Sequence, residues 1–118
     1  MTSAERDALE RSIADAHGKA SQRVTALARD FEAIVESAAG ASVDDEHDPE
    51  GQTIAFERAQ VSALLEDARG QLAALERARD DLGRDDYGSC DVCGDQIAVE
   101  RLLARPFART CVGCARPK

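Results

Sequence analysis

Two apolar stripes on a seven-residue beat, separated by a run of carboxylates, limit what this chain can fold into. The first stripe runs Leu9, Ile13, Ala16, Ala20, Val24, Leu27, Phe31, Ile34 and Ala38, in steps of three and four. That spacing gathers the apolar side chains on one side of an α-helix and leaves the charged ones on the others. From Ala4 to Ala39 there is no proline and a single interior glycine, Gly18. The consecutive steps of four at Ala16–Ala20–Val24 are a stutter, which locally unwinds a supercoil. In the second stripe Ile54, Val61, Ala68, Leu75 and Leu82 are seven apart, with Leu65 and Leu72 in the complementary positions. Arg58 and Arg79 take the other two complementary places, which weakens that seam near its ends. Thr2 or Ser3 is expected to cap the first helix, with Glu5 and Asp7 in its first turn, and Gly83 to cap the second.

Two stripes joined by a short polar connection pack on each other antiparallel. The expected fold is therefore mostly α, a long antiparallel helical hairpin (coiled coil), with each helix roughly 45–50 Å long at about 1.5 Å per residue. Composition agrees. Aromatic residues are only 3% of the chain, so alanine and leucine carry the apolar content, and a sandwich or barrel lacks the side chains it needs. No apolar run approaches the roughly 18–20 residues of a membrane span, and the N-terminal residues hold no apolar signal core, so the expected compartment is the cytoplasm.

The charge is unevenly spread. Of the net −8, residues 1–86 contribute 20 acidic and 10 basic side chains, whereas residues 87–118 hold 3 acidic and 5 basic. An acidic whole argues against a broad grip on nucleic-acid backbone, and sequence-specific DNA binding is not expected. The break marks two expected modules, a hairpin over 1–86 and a small module over 87–118.

The connection over 40–53 is more acidic than a turn requires. Five of the seven residues from Asp44 to Glu50 are carboxylates. Asp48 as N-cap, Pro49 at the first helical position and Glu50 behind them suit the start of the second helix. Asp44, Asp45 and Glu46 have no such role. The plain reading is a solvated acidic turn. The functional reading is an effector tip, with Asp44, Asp45, Glu46 and Asp48 aimed at a partner's basic groups or its bound Mg²⁺. The spacing does not fit an EF-hand.

All four cysteines lie in the tail, as Cys90-x2-Cys93-x17-Cys111-x2-Cys114. Two close pairs separated by 15–20 residues are a metal-site spacing, each pair wrapping a turn around one tetrahedral ion. Four thiolates close the coordination shell, so one structural Zn²⁺ is expected, whose binding supplies folding free energy to a module too small to fold on burial alone. Arg101, Arg105, Arg109 and Arg116 are placed to offset the thiolate charge. An iron–sulfur cluster uses the same ligands, and spacing alone does not separate the two. A short helix is expected from Ala98 to Arg105, ended by Pro106, with Ile97, Leu102, Leu103 and Phe107 as its small core.

The run Tyr87-Gly88-Ser89-Cys90-Asp91-Val92-Cys93-Gly94-Asp95-Gln96-Ile97, then Glu100-Arg101-Leu102-Leu103-Ala104-Arg105-Pro106 and Cys111-Val112-Gly113-Cys114, resembles the DksA/TraR C4-type zinc finger. Every fixed position of that family's pattern is met, including Arg101, Leu102, Ala104, Pro106 and Ala108. The resemblance implies a regulator that binds RNA polymerase and inserts its coiled-coil tip through the secondary channel, with the finger contacting the channel rim. Arg101, Arg105 and Arg109 are the candidate partner contacts. Several family members act with ppGpp, which makes it a second candidate partner. The family's tip reads D-x-x-D-x-A; aligned on Asp48-Pro49, this chain has Asp48, Gly51 and Thr53 at those places.

The alternative is a zinc-finger adaptor or nucleic-acid-binding protein whose hairpin serves dimerisation. An enzyme is not expected: there is no Ser/His/Asp or Cys/His constellation, and His17 and His47 are far apart along the hairpin.

Overall fold

The first helix begins with a reciprocal pair of hydrogen bonds. The Glu5 amide donates to Thr2 Oγ1 at 3.0 Å, and the Thr2 amide donates to Glu5 Oε1 at 2.8 Å. This is a capping box, which satisfies two donors that a helix start otherwise leaves unpaired. Thr2, not Ser3, is the cap, and the Thr2 amide, followed by the Thr2 hydroxyl, holds the Glu5 carboxyl below its usual range. The structure, a computed structural model, describes residues 1–39 and 49–115. Within them α1 spans Ser3–Ala39, α2 spans Pro49–Leu82, α3 spans Val99–Ala104 and α4 spans Val112–Ala115.

The expected hairpin is present, followed by a four-cysteine module with a short helix. Every residue of the first stripe from Leu9 to Ala38 is buried or half-buried, and so are Ile54, Val61, Leu65, Ala68, Leu72, Leu75 and Leu82 of the second. Arg58 and Arg79 are exposed. In the last turns of α2 the buried position is Ala78, one residue before Arg79. No helix among the described residues is long and apolar enough to cross a membrane.

The chain packs as two compact units. One joins Met1–Lys19 to Leu72–Lys118; the other is Ala20–Gln71. In the first unit the start of α1 lies against the end of α2, with the Arg6 guanidinium donating to the Leu82 carbonyl and His17 Nε2 3.5 Å from Glu76 Oε1. Arg6 thereby supplies a donor, and positive charge, to the helix end where carbonyls lack partners. Gly83 does follow the last residue of α2, but without a left-handed φ; its amide donates to the Asp80 carbonyl at 3.3 Å in a tightened last turn. Leu9, Ile13, Ala78 and Leu82 share one core with Cys90, Ile97 and Leu102, and Tyr87, Cys111 and Cys114 pack against it. The second unit buries Leu65 and Ala68 among its described residues.

Candidate metal centre

The cysteine module is built from two turns and a helix whose main-chain bonds interlock. Gly88 and Gly94 have φ of 90° and 77°, a region other residues rarely enter. Gly94 turns the chain out of the first knuckle, where its amide donates to the Cys90 carbonyl at 2.9 Å. The Cys90 amide then donates to the Asp95 carbonyl at 2.8 Å, and Ser89 and Gln96 form an antiparallel bridge. Gly88 is buried and its φ requires glycine; a Cβ there would also meet Gln96 Nε2 at 2.8 Å, and that side-chain end would have to shift. Two further bonds tie the knuckles together: the Asp91 amide donates to the Arg109 carbonyl at 2.8 Å, and Arg101 Nε donates to the Thr110 carbonyl at 3.0 Å.

These bonds bring Cys90, Cys93, Cys111 and Cys114 together, with all four sulfurs within 4.8 Å of one another. Cys93 Sγ and Cys111 Sγ are 3.8 Å apart. Four sulfurs held about 2.3 Å from one ion in a tetrahedron sit about 3.8 Å from each other, so the residues fit a single zinc ion. A cluster of several iron atoms needs its ligands further apart than this. Cys90 is buried, Cys111 and Cys114 half-buried and Cys93 exposed.

The thiols do not titrate alike. Backbone N–H groups of Cys93 and Cys111, directed at the Cys90 sulfur, bring that thiol down to about 6. Cys114 is pushed up to about 12 by hydrogen bonding with the thiols of Cys111, Cys90 and Cys93. For Cys93 the Asp95 amide pulls downward, but the neighbouring Cys90 thiol, burial and the Cys111 thiol outweigh it, and the net direction is up. Four sulfurs this close share protons, and a dication that replaces them resolves the crowding.

Of the small core expected around α3, Ile97 and Leu102 are fully buried, whereas Leu103 and Phe107 are exposed at 39% and 36%. Leu103 is one helical step round from Leu102 and so turns away from the core. Phe107 lies beneath the Arg105 guanidinium, 5.6 Å from its ring centre. The place foreseen for them is filled by Leu9, Ile13, Ala78 and Leu82, with the Tyr87 hydroxyl donating to the Pro106 carbonyl at 3.1 Å. Burial raises the Tyr87 pKa, which keeps that donor neutral.

The three arginines named as partner contacts have different settings. Arg105 is exposed. Arg109 is exposed and pairs with Asp81 at 3.3 Å and Asp91 at 3.9 Å. Arg101 is half-buried and turned to the Thr110 carbonyl. The acidic residues named for the tip, Asp44, Asp45, Glu46 and Asp48, lie outside the described residues.

Comparison with known proteins agrees with this geometry. Residues 85–118 match the family described as prokaryotic dksA/traR C4-type zinc finger. The chain is similar to the RNA polymerase-binding transcription factor DksA of Haemophilus influenzae, 41% identical over 46 residues. That match covers 39% of this chain and 32% of the relative, so it spans about a third of the relative's length. The fold is similar to the structure of transcription factor DksA2 from Pseudomonas aeruginosa, with a TM-score of 0.80 and 22% identity, covering 97% of this chain and 82% of that one. Residues 85–118, with their four gathered sulfurs, therefore carry a zinc finger of the prokaryotic dksA/traR C4 type, on a hairpin fold similar to that of DksA2.

Proposed function

We propose that this protein is a non-enzymatic transcription regulator of the cytoplasm that binds RNA polymerase and acts through the polymerase's secondary channel. The observation that carries the reading is the finger itself: a family-specific metal module, in a chain similar to a relative whose name states polymerase binding, on a hairpin fold that a second transcription factor shares. On this reading the labour divides near residue 86. Residues 1–86 form the inserted hairpin, with its acidic segment at 40–53 as the working end, and residues 87–118 hold the zinc and meet the channel rim.

Asp44, Asp45, Glu46 and Asp48 are the proposed effector residues. Clustered carboxylates suit a centre that contains Mg²⁺, because hard cations take oxygen ligands. Gly51 and Thr53 stand where the family's tip has Asp and Ala, so the charge is supplied on the other side of Asp48. The test is co-sedimentation of the zinc-loaded protein with core RNA polymerase, paired with in-vitro transcription with and without ppGpp. Binding is expected, with Asp45→Ala/Asp48→Ala abolishing the transcriptional effect and leaving binding largely intact. Full activity in that double variant overturns the tip assignment, and no binding at micromolar concentration overturns the polymerase reading.

A further inference from the structure

We propose that Arg101 is a positioning residue of the metal centre, which holds the third ligand, Cys111, in place through the Thr110 carbonyl that precedes it. The argument rests on the zinc site and is independent of polymerase binding. Arg101 lies in α3, half-buried, with its main chain fixed by its amide's bond to Ala98 and its carbonyl's bond from Arg105. Its Nε donates to the Thr110 carbonyl at 3.0 Å. That carbonyl belongs to the same peptide unit as the Cys111 amide, and the bond is trans, so the two groups point in opposite directions. A guanidinium that holds this plane by its carbonyl edge therefore fixes the main chain from which the Cys111 sulfur is presented.

The charge adds to the geometry. A cationic donor makes the bond to the Thr110 carbonyl charge-assisted, and so stronger than one between neutral groups. The preceding peptide is held as well, since the Arg109 carbonyl accepts the Asp91 amide. The two carbonyls ahead of Cys111 are thus fixed to different elements, α3 and the first knuckle, and the third ligand is presented in place before metal arrives. Groups that orient metal ligands in this way typically alter metal affinity by about 10–100-fold.

The test separates the hydrogen bond from the packing of the side chain's stem. Arg101→Met keeps most of the stem and has no donor; Arg101→Lys keeps a charged donor on a stem of similar reach. Zinc transfer to a chelator from the folded, zinc-loaded full chain is expected to be about 10–100-fold faster for Arg101→Met, with Arg101→Lys restoring most of the loss. In the cobalt-substituted protein the thiolate-to-metal charge-transfer band should shift in the Met variant and return toward wild type in the Lys variant. Wild-type release from Arg101→Met, or identical behaviour of the two variants, overturns the proposal.

Discussion

The two packed units are made from the same two helices, yet they bury their stripes to different depths. In the unit of Met1–Lys19 and Leu72–Lys118, Leu9, Ile13, Ile97 and Leu102 are at most 1% exposed. In Ala20–Gln71 Leu65 and Ala68 are buried, but the stripe residues Val24, Leu27, Phe31, Ile34, Ile54 and Val61 are only half-buried, and Phe56 is 70% exposed. A pair of helices can cover one stripe on each partner and no more. Where a third wall is added, side chains are enclosed on all sides, and the cysteine module is that wall. The zinc site therefore holds in place a part of the hairpin's own core, besides closing a small finger.

Loss of metal is the strongest way to break this contrast. Cys111→Ser with Cys114→Ser removes two of the four ligands, and a large fall in melting temperature is expected, because binding energy at such sites is folding energy. Far-UV circular dichroism should change little at low temperature, since α1 and α2 hold most of the helical residues. Hydrogen exchange should accelerate most in residues 3–19 and 72–82. An equal loss of protection across 20–39 and 52–71 would show that the two units do not differ in their dependence on metal.

Core truncation sharpens the comparison at single sites. Leu102→Ala or Leu9→Ala should cost about 2–5 kcal/mol in urea unfolding, the range for an enclosed leucine. Leu27→Ala removes a half-buried side chain and should cost about half of that. Equal costs would mean that burial depth does not set stability here.

Much of this was legible in the sequence, and the exceptions have physical causes. The stripe from Leu9 to Ala38 and the ligands Cys90, Cys93, Cys111 and Cys114 were readable because each follows a spacing that one local geometry imposes. The shared core was not, since nothing local in Ile97 or Leu102 says that they meet Leu9 and Leu82. Leu103 and Phe107 were assigned to a core that the helical hairpin supplies instead. Arg101 is read from the sequence as offsetting the thiolate charge and as a candidate partner contact; its bond to the Thr110 carbonyl is not legible there. Its sequence position among the four cysteines was the available signal.

Acid should release the metal before it disturbs the Ala20–Gln71 unit. Each ligand must lose its proton to bind, so zinc affinity falls as pH falls. With Cys90 lowered to about 6 and Cys114 raised to about 12, Cys90 is already a thiolate at neutral pH and Cys114 still carries a proton that zinc displaces. Zinc binding near pH 7.5 should therefore release protons into a weakly buffered solution, measurable by calorimetry in buffers of different ionisation enthalpy. Below about pH 6, Cys90 also competes for a proton and the affinity should drop more steeply. Proton release that is absent at neutral pH would contradict the crowded-thiol arrangement.

The smallest effect belongs to the capping box, at the edge of the better-packed unit. Thr2→Ala removes the acceptor for the Glu5 amide and should cost about 1 kcal/mol by urea unfolding. Glu5 adds a pH signature whose sign is fixed by its lowered pKa. A carboxyl held below its unfolded value contributes stability above about 4.5, and that contribution is lost as pH falls through the folded value. Glu5→Gln keeps an acceptor for the Thr2 amide but does not titrate, so its stability should decline less between about pH 5 and pH 3 than that of the wild type. Arg6 and Leu9 lie just beyond this first turn, one bonded to the end of α2 and the other fully buried. Fraying at Thr2 should therefore stop before Arg6, and amide exchange in Thr2→Ala should rise in the first turn while Leu9 stays protected. Exchange that spreads through Leu9 and Ile13 would mean that the cap, rather than the shared core, anchors this end of α1.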